Sequence, residues 1–383
     1  MCKSMIYNNL KNPFVVVKNI PEALFCDRNA ETDFLIKQIE NGRNTVLVSP
    51  RRMSKTGLIQ HLFRQQKLVD DYETFFIDLY AVTSLQEMSY LLGKTVFERL
   101  KSQKEKRIES FFQIIKSLRA GFKIDSLTGE PKFELGIGAV ENPATTLEEV
   151  FAYLESAENP CVLALDEFQQ VAEFREKRVE ALLRGLIQQC SKTSFIFSES
   201  KQHTISQMFQ SKAKPFYQSA QLMDLRPLEL EVYTDFVTRL FTEYGKSIEK
   251  DVVEQVYENY DGVTWYMQMM MNELFSMTED GGNCSIEDIE KARQNITEVQ
   301  EGGYKSQLNN LSDKQKRVLQ AISKEGVVDS VTSGNFVRRH ALESASSVQS
   351  AIKGLRDKEI ISHTDGHYRI NDYFFSEWLR ENY

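Results

Sequence analysis

The stretch NTVLVSPRRMSKTG, residues 44–57, decides the fold of this chain. Its apolar run is short and continuous, as in a strand buried on both faces of a sheet, and a helical pattern follows from about residue 55 to residue 66. Between them, residues 49–56 fit the phosphate-loop pattern G-x-x-x-x-G-K-[ST] at Lys55 and Thr56, with serine at both glycine positions. This order of strand, loop and helix is the context that the pattern requires. The stretch therefore predicts a loop that binds nucleotide phosphates where a helix begins.

The chemistry of such a loop gives its last residues defined roles. Backbone N–H groups at the beginning of the helix point at the phosphates, and the helix dipole favours their negative charge. Lys55 would contact the β- and γ-phosphates of ATP, and the Thr56 hydroxyl group would bind Mg²⁺. The candidate nucleotide-binding residues of the loop are Pro50, Arg51, Arg52, Met53, Ser54, Lys55, Thr56 and Gly57.

Ser54 is the position at which the loop departs most from the pattern. Glycine there leaves room for a phosphate to approach the backbone. The serine side chain could crowd that approach, or its hydroxyl group could donate an additional hydrogen bond. An arginine-rich loop that ends in Lys-Thr but binds no phosphate would have the same sequence pattern. The loop alone therefore leaves two interpretations open, a phosphate-binding loop and an ordinary connection between strand and helix.

A second motif lies in CVLALDEF, residues 161–168, where an apolar strand ends in two carboxylates. Asp166 would bind Mg²⁺ through its water shell, and Glu167 would orient or deprotonate the attacking water as the catalytic residue, together with Lys55. A strand that ends at a solvated acidic turn is the simpler alternative. Both motifs follow strands, and open α/β sheets bind ligands at the carboxyl ends of their strands. The two motifs together therefore favour a nucleotide site.

The first 229 residues alternate apolar runs with amphipathic stretches, which predicts an α/β P-loop core with a parallel sheet covered by helices on both faces. Further strands are expected at residues 74–79 and 194–198, and helices at 85–100 and 178–190. Residues 121–140 contain a turn signal between two alternating segments and predict a hairpin insertion. Polar residues 198–201 after the fourth strand could sense the γ-phosphate or simply end the strand.

The remainder of the chain predicts two smaller domains. Residues 230–302 have helical spacing without a strand pattern and are expected to form a helical lid. Residues 301–310 contain Gly and Asn and suggest a linker. Residues 303–383 are expected to form a winged helix, because three helical patterns precede two strand-like segments around a turn. Ser312 and Gln315 have the spacing of a capping box at the first of these helices.

Composition limits the classes of function. The formal net charge is −8, which disfavours a uniformly basic nucleic-acid binder. The five cysteines are scattered without C-x-x-C spacing and indicate reduced thiols. No run reaches the length of a transmembrane helix and no signal-peptide pattern is present, so we expect a cytoplasmic protein without a membrane partner.

With these motifs the chain resembles archaeal- and bacterial-type P-loop ATPases of the AAA+/STAND group, in which an ATPase domain precedes a winged helix. The resemblance extends along nearly the whole chain. The family segment F-x-G-R-x-x-E corresponds to Phe25, Arg28 and Glu31, with Asp27 in place of glycine. This resemblance implies that Arg28 helps to form the adenine pocket. The family loop P-R-R-x-G-K-T corresponds to residues 50–56, and residues 262–266 resemble its lid motif.

Three hypotheses about function follow. The first is a slow ATPase that acts as a nucleotide-driven switch for a protein or DNA partner, with ATP and Mg²⁺ as ligands. The second is a degenerate P-loop protein that serves as an interaction or DNA-binding regulatory module without significant hydrolysis. The third is a transcription regulator that uses the winged helix. Winged helices also dock proteins. The expected recognition helix offers Lys353, Arg356 and Lys358 but also Asp357 and Glu359, so it is only mildly basic.

Overall fold

The computed structural model describes most of the chain, and its contacts divide it into two compact units. The described residues are 10–16, 20–101, 111, 113–117, 122–124, 131–133, 140–199, 207–364 and 366–383. Asn19–Leu228 forms the first unit, and the second unit begins at Glu229 and includes the described N-terminal residues. None of the four cysteines among the described residues forms a disulfide. No described helix combines the length and apolar character that crossing a bilayer requires.

The first unit is built around a five-stranded sheet in which every pair of neighbouring strands is parallel. Its strand order is β2-β5-β6-β1-β7. The strands of this unit are β1 (Thr45–Val48), β2 (Glu73–Asp78), β3 (Phe122–Ile124), β4 (Pro131–Phe133), β5 (Cys161–Asp166), β6 (Thr193–Glu199) and β7 (Gln221–Asp224). Its α-helices are α1 (Asn29–Glu40), α2 (Lys55–Phe63), α3 (Gln66–Asp71), α4 (Leu85–Lys101), α5 (Pro143–Ser156) and α6 (Val179–Gln189).

The central strands are buried because apolar residues occupy both of their faces. All residues of β5 and β6 are buried, which explains the continuous apolar runs in their sequences. Phe168, Phe197, Phe209 and Phe216 pack together with ring centroids 4.6–6.1 Å apart at the side of this core. The predicted α/β fold is confirmed, with a parallel sheet at its centre.

Two details of the first unit differ from the sequence predictions. The helical pattern at residues 55–66 is divided into α2, which ends at Phe63, and the short helix α3. The fifth strand β7 was missed, because only four residues form it and none of them is fully buried. In the region of the expected hairpin, β3 pairs antiparallel with β4, and the turn predicted between them lies outside the described residues.

The second unit is mainly helical. Its helices are α7 (Leu230–Glu243), α8 (Lys250–Asn259), α9 (Thr264–Met277), α10 (Asp288–Asn309), α11 (Asp313–Glu325), α12 (Gly334–Arg339), α13 (Ala345–Asp357) and α14 (Tyr373–Asn382). Its strands are β8 (Ser247–Ile248), β9 (Asn283–Cys284), β10 (Ile361–Thr364) and β11 (His367–Ile370). The antiparallel pair β10–β11 is the wing, and Ser312 and Gln315 form the expected capping box at α11.

The prediction of a linker at residues 301–310 was wrong. Helix α10 continues through Gly302 and Gly303 to Asn309. Tyr304 and Leu308 are one helical turn apart and buried, and Tyr304 packs against the aromatic rings of α14. Burial of this apolar face offsets the low helix propensity of the two glycines.

Two further features of the second unit contradict the sequence predictions. The short strands β8 and β9 pair in parallel within the region that was expected to be purely helical. The N-terminal segment, expected in the core, packs in the second unit instead. Phe14 is buried among Phe236, Phe241 and Phe275, and the Asn12 side chain donates a hydrogen bond to a backbone carbonyl of α9 at 2.8 Å.

A partly buried carboxyl group lies between α8, α10 and α14. Burial raises the pKa of Glu377 to about 7, although Arg293 and Arg380 favour its charged form. Glu377 accepts a hydrogen bond from the Tyr260 hydroxyl group at 3.2 Å, and the charge of nearby Glu381 raises its pKa further. The folded state therefore favours protonated Glu377.

We expect Glu377→Gln to stabilise the protein at alkaline pH. Because the folded pKa is raised, the wild-type carboxyl group destabilises the fold as pH rises from about 4.5 towards 7. Each unit of pKa is worth about 1.4 kcal/mol, so the gain at pH 8 should be about 2 kcal/mol after allowing for residual hydration. Denaturant unfolding of both proteins at pH 5 and pH 8 measures it. A gain that is as large at pH 5 as at pH 8 would contradict the prediction.

Candidate functional site

The Lys55 side chain folds back onto the backbone of the loop between β1 and α2. The Lys55 ammonium group donates hydrogen bonds to the Ser49 carbonyl oxygen, the Ser49 hydroxyl oxygen and the Pro50 carbonyl oxygen, each at 3.0 Å. Lys55 is only 6% exposed. An ammonium group has three N–H donors, and the loop accepts from all of them.

The backbone explains why the loop pattern specifies glycine before the lysine. Ser54 has φ 59° and ψ 35°, in the left-handed region, where an L-residue with a Cβ atom costs about 1 kcal/mol relative to glycine. Of the other predicted loop residues, Pro50, Arg51, Arg52 and Thr56 are exposed, Ser54 and Gly57 are intermediate, and Met53 is buried.

Ser54→Gly should therefore raise the free energy of unfolding by about 1 kcal/mol, because glycine adopts this conformation without strain. It should also tighten ATP binding, since it removes a side chain from the path of the phosphates. Ser54→Ala is the matched control, because it keeps the strained Cβ atom and removes only the hydroxyl group. Denaturant unfolding and ATP titration test both effects, and equal ATP affinity in wild type and Ser54→Gly would refute the crowding argument.

The two motifs meet at Asp166, where β5 ends. The Thr56 hydroxyl group donates a hydrogen bond to Asp166 Oδ2 at 2.6 Å. The Ser198 hydroxyl group at the end of β6 donates to Asp166 Oδ1, which also accepts from the Glu167 backbone N–H at 3.0 Å. Asp166 is 5% exposed. These contacts fix both carboxylate oxygens beside the first turn of α2.

Glu167 follows Asp166 at a sharp change in chain direction. Its φ of 52° is left-handed, and the short 3₁₀ helix Phe168–Glu173 begins after it. Its Oε2 accepts a hydrogen bond from the Gln169 side-chain amide at 2.5 Å. This contact orients the carboxylate at the end of β5.

The acidic groups and Lys55 influence one another. Burial lowers the pKa of Lys55 to about 8, and the negative charges of Glu167, Asp166 and Glu199 oppose this effect. Lys55 therefore remains mainly charged at neutral pH. Asp78, which lies opposite Asp166 in the β2–β5 register, has its pKa raised by burial and by the charges of Asp166 and Glu167.

Asp78 was missed as a site residue, whereas Ser198 is one of the polar residues that the sequence offered as sensors of the γ-phosphate, not as a partner of Asp166. Each follows an apolar run at the carboxyl end of a strand, which is the signal that identified Asp166. These side chains come together only because their strands are neighbours in the order β2-β5-β6-β1. The sequence alone does not show that order. Ser200 and Lys201, considered as sensors of the phosphate, lie outside the described residues.

Arg28 belongs to a second group of residues near the beginning of α1. Asp27 and Arg28 both have left-handed φ values, 53° and 71°, which explains the glycine that the related pattern carries at position 27. Arg28 is 4% exposed. Its Nη1 donates to Glu31 at 2.5 Å and to the Arg226 carbonyl oxygen at 2.7 Å.

Phe25 connects the residues around Arg28 to α2, the helix that follows the phosphate loop. Its ring stacks on His61 of α2 with centroids 4.3 Å apart. A Cβ atom added at Gly57 would meet the Phe25 ring at 3.6 Å, so Gly57 lies beside this ring. The Arg226 side chain, whose backbone carbonyl accepts from Arg28, is 85% exposed, and its Nε lies 4.0 Å from Asp224 Oδ2.

The sheet order and the loop before α2 place the first unit among the P-loop NTPases. Sequence comparison narrows the class, because residues 25–270 match the ATPase domain found predominantly in Archaea. This match covers more than half of the chain, which therefore belongs to that family of ATPases. Residues 302–381 match a probable winged helix domain.

Several solved structures are similar to this chain and have the same fold. The Walker-type ATPase of Pyrococcus abyssi is 17% identical, with a TM-score of 0.65 over 96% of this chain and 99% of that chain. The Aeropyrum pernix Orc2 protein, solved as ADPNP and ADP complexes, is 13% identical, with a TM-score of 0.56 over 97% and 94%. The Aeropyrum pernix Orc1 protein in complex with DNA is 14% identical, with a TM-score of 0.53 over 97% of each chain. No curated protein matches the chain in sequence.

Proposed function

We propose that this protein binds ATP with Mg²⁺ at the loop before α2 and hydrolyses it slowly to ADP and phosphate. The observation that carries the proposal is the 2.6 Å hydrogen bond between Thr56 and Asp166, which are 110 residues apart in sequence. It brings the ends of two motifs within reach of a single cation, beside the buried amine of Lys55.

The oxygen atoms at this point suit the metal that the proposal requires. A hydroxyl and a carboxylate oxygen are hard ligands of the kind that Mg²⁺ binds alongside water and phosphate oxygens. When bound, Mg²⁺ supplies positive charge that offsets the charge developing on the phosphates. Thr56 and Asp166 would hold it, and Ser198 would keep the Asp166 carboxylate in place.

The remaining roles fall to Lys55 and Glu167. Lys55 would give up its bonds to Ser49 and Pro50 and donate to the phosphate oxygens. Glu167 would orient the attacking water and accept its proton, with Gln169 fixing the direction of the carboxylate. Arg28 and the loop residues 50–54 would complete the nucleotide-binding surface. Turnover should be slow, because Lys55 must leave its contacts with Ser49 and Pro50 and the phosphates must pass the Ser54 side chain before they reach a productive position.

Nucleotide binding and phosphate release by the purified protein, with and without Mg²⁺, test this proposal directly. We expect ATP binding that Mg²⁺ strengthens, followed by slow release of phosphate. Binding without phosphate release would favour the second candidate, a degenerate P-loop protein that holds nucleotide or acts only as an interaction module. The strain at Ser54 is the specific observation that favours this alternative.

We further propose that nucleotide binding controls a protein or DNA partner of the winged helix. The exposed face of α13 carries Gln349, Ser350, Lys353 and Arg356 and has no carboxylate before Asp357. The related Orc1 structure is a complex with DNA. Residues 311–383 contain 11 Lys+Arg and 10 Asp+Glu, a net charge of +1 against −8 for the whole chain. Salt-dependent binding of random duplex DNA would support DNA as the partner, and no binding at low salt would favour a protein.

A further inference from the structure

Gln169 is a buried amide side chain two residues after Glu167, the proposed base. It is 3% exposed and lies on the 3₁₀ helix Phe168–Glu173, whose first side chain, Phe168, is buried in the core. A backbone hydrogen bond from the Gln170 N–H group to the Glu167 carbonyl oxygen at 3.0 Å closes the turn between them. Turn and packing together hold the Gln169 amide at the end of β5.

The two polar atoms of this amide have different surroundings. Its Nε2 donates a hydrogen bond to Glu167 Oε2 at 2.5 Å, whereas its Oε1 is buried and no donor among the described residues reaches it. A buried acceptor is costly to leave without a donor, and in folded proteins an ordered water molecule commonly supplies one. The amide oxygen therefore indicates a water site next to Glu167.

The geometry allows one water molecule to contact both side chains. The oxygen and nitrogen of the Gln169 amide are bonded to the same carbon atom, so Oε1 lies within about 5 Å of Glu167 Oε2. A water molecule has two O–H groups and donates hydrogen bonds of about 2.8 Å, so it can bridge two acceptors at such a separation. With one O–H group directed to the Glu167 carboxylate and the other to Gln169 Oε1, its lone pairs point away from both.

This orientation suits the hydrolysis of a phosphate. The water oxygen forms a bond to the γ-phosphorus, the bond from that phosphorus to the bridging oxygen of ADP breaks, and the proton released by the water passes to Glu167. The Gln169 amide remains neutral and does not compete for that proton. It holds the other hydrogen atom of the water while the lone pair reacts.

We propose that Gln169 orients the attacking water together with Glu167. Its amide N–H group fixes the carboxylate, and its amide oxygen accepts the second hydrogen bond from the water. The inference rests on the proposed function, since it concerns the water of the same hydrolysis. It gives Gln169 a direct contact with that water in addition to its contact with Glu167.

The experiment measures the release of phosphate by the full chain in a single turnover and, separately, its affinity for ATP in Mg²⁺. Gln169→Met keeps the length of the side chain and removes both polar atoms. We expect it to release phosphate at least about tenfold more slowly than wild type, because the water loses its fixed orientation, with ATP affinity within about twofold of wild type. Gln170→Met is the matched control on the same 3₁₀ helix, where the side chain is half-buried, and it should release phosphate at the wild-type rate.

A double-mutant cycle separates orientation of the water from a general structural role. Because Gln169 and Glu167 act on one water molecule, Gln169→Met should slow phosphate release by a much smaller factor in a Glu167→Gln background than in wild type. Equal factors in the two backgrounds would overturn the inference. A Gln169→Met protein that releases phosphate as fast as wild type would also overturn it, and the proposed nucleotide site would stand.

Two further outcomes are distinguishable. Should Gln169→Met not fold, Gln169→Asn decides, because the shorter amide keeps its polar atoms but does not reach the water and Glu167 together. The same loss of rate is expected, and a wild-type rate in folded Gln169→Asn refutes the role of Gln169. If wild type binds ATP but releases no phosphate in a single turnover, the proposed hydrolysis itself fails and the inference falls with it.

Discussion

Lys55→Ala should abolish measurable ATP binding, with affinity at least about 100-fold below that of wild type. Lys55 is the buried cation of the candidate site, and a charge-assisted contact to phosphate is among the strongest that a side chain offers. Its removal also leaves Asp166, Glu167 and Glu199 without the ammonium group that now offsets their charges. Both effects act against an anionic ligand. Titration of ATP in the presence of Mg²⁺ measures the loss.

A control variant separates this effect from a general loss of positive charge. Lys37 is exposed on α1 in the same unit, so Lys37→Ala changes the net charge equally and should leave ATP affinity unchanged. Circular dichroism of both variants checks that they are folded. Unchanged ATP affinity in folded Lys55→Ala would sink the assignment of the phosphate loop.

Glu167→Gln should reduce phosphate release at least about 100-fold while preserving ATP binding, since general-base assistance typically contributes a factor of this size or more. Glutamine keeps the shape of the side chain and removes the base. The contact with Gln169 can re-form through an amide oxygen, so the strand end should keep its conformation. Single-turnover release of phosphate from bound ATP measures the chemical step.

The control for this variant is Glu173→Gln, which lies on the same 3₁₀ helix but is exposed. It should hydrolyse ATP at the wild-type rate. Hydrolysis by Glu167→Gln at the wild-type rate would exclude Glu167 as the catalytic base. Another carboxylate at this edge of the sheet would then be the candidate. Asp78, beside Asp166 in register, is the first to test.

The sequence predicted the parts of this protein that local patterns determine. Buried strands such as β5 are recognisable as continuous apolar runs, and the position of Asp166 at the end of such a run predicts it as a site residue. The strained backbone at Asp27 and Ser54 was not predictable in the same way. The related pattern has glycine at both positions, but only the structure gives the positive φ values that explain it.

Other features depend on contacts between distant residues. Ser198 became a site residue because β6 lies next to β5 in the sheet, although 32 residues separate it from Asp166. The glycines in α10 suggested a linker because their helix propensity is low, and burial of Tyr304 and Leu308 outweighed that propensity. Tertiary packing determines both the contact of Ser198 with Asp166 and the continuity of α10, and a single sequence does not show tertiary packing.

The continuity of α10 has a mechanical consequence. A helix of 22 residues spans roughly 33 Å at about 1.5 Å per residue. Because α10 begins in the predicted lid region, ends just before α11 of the winged helix and packs through Tyr304 against the rings of α14, it holds these two regions together as one rigid spacer of that length rather than as domains on a flexible tether.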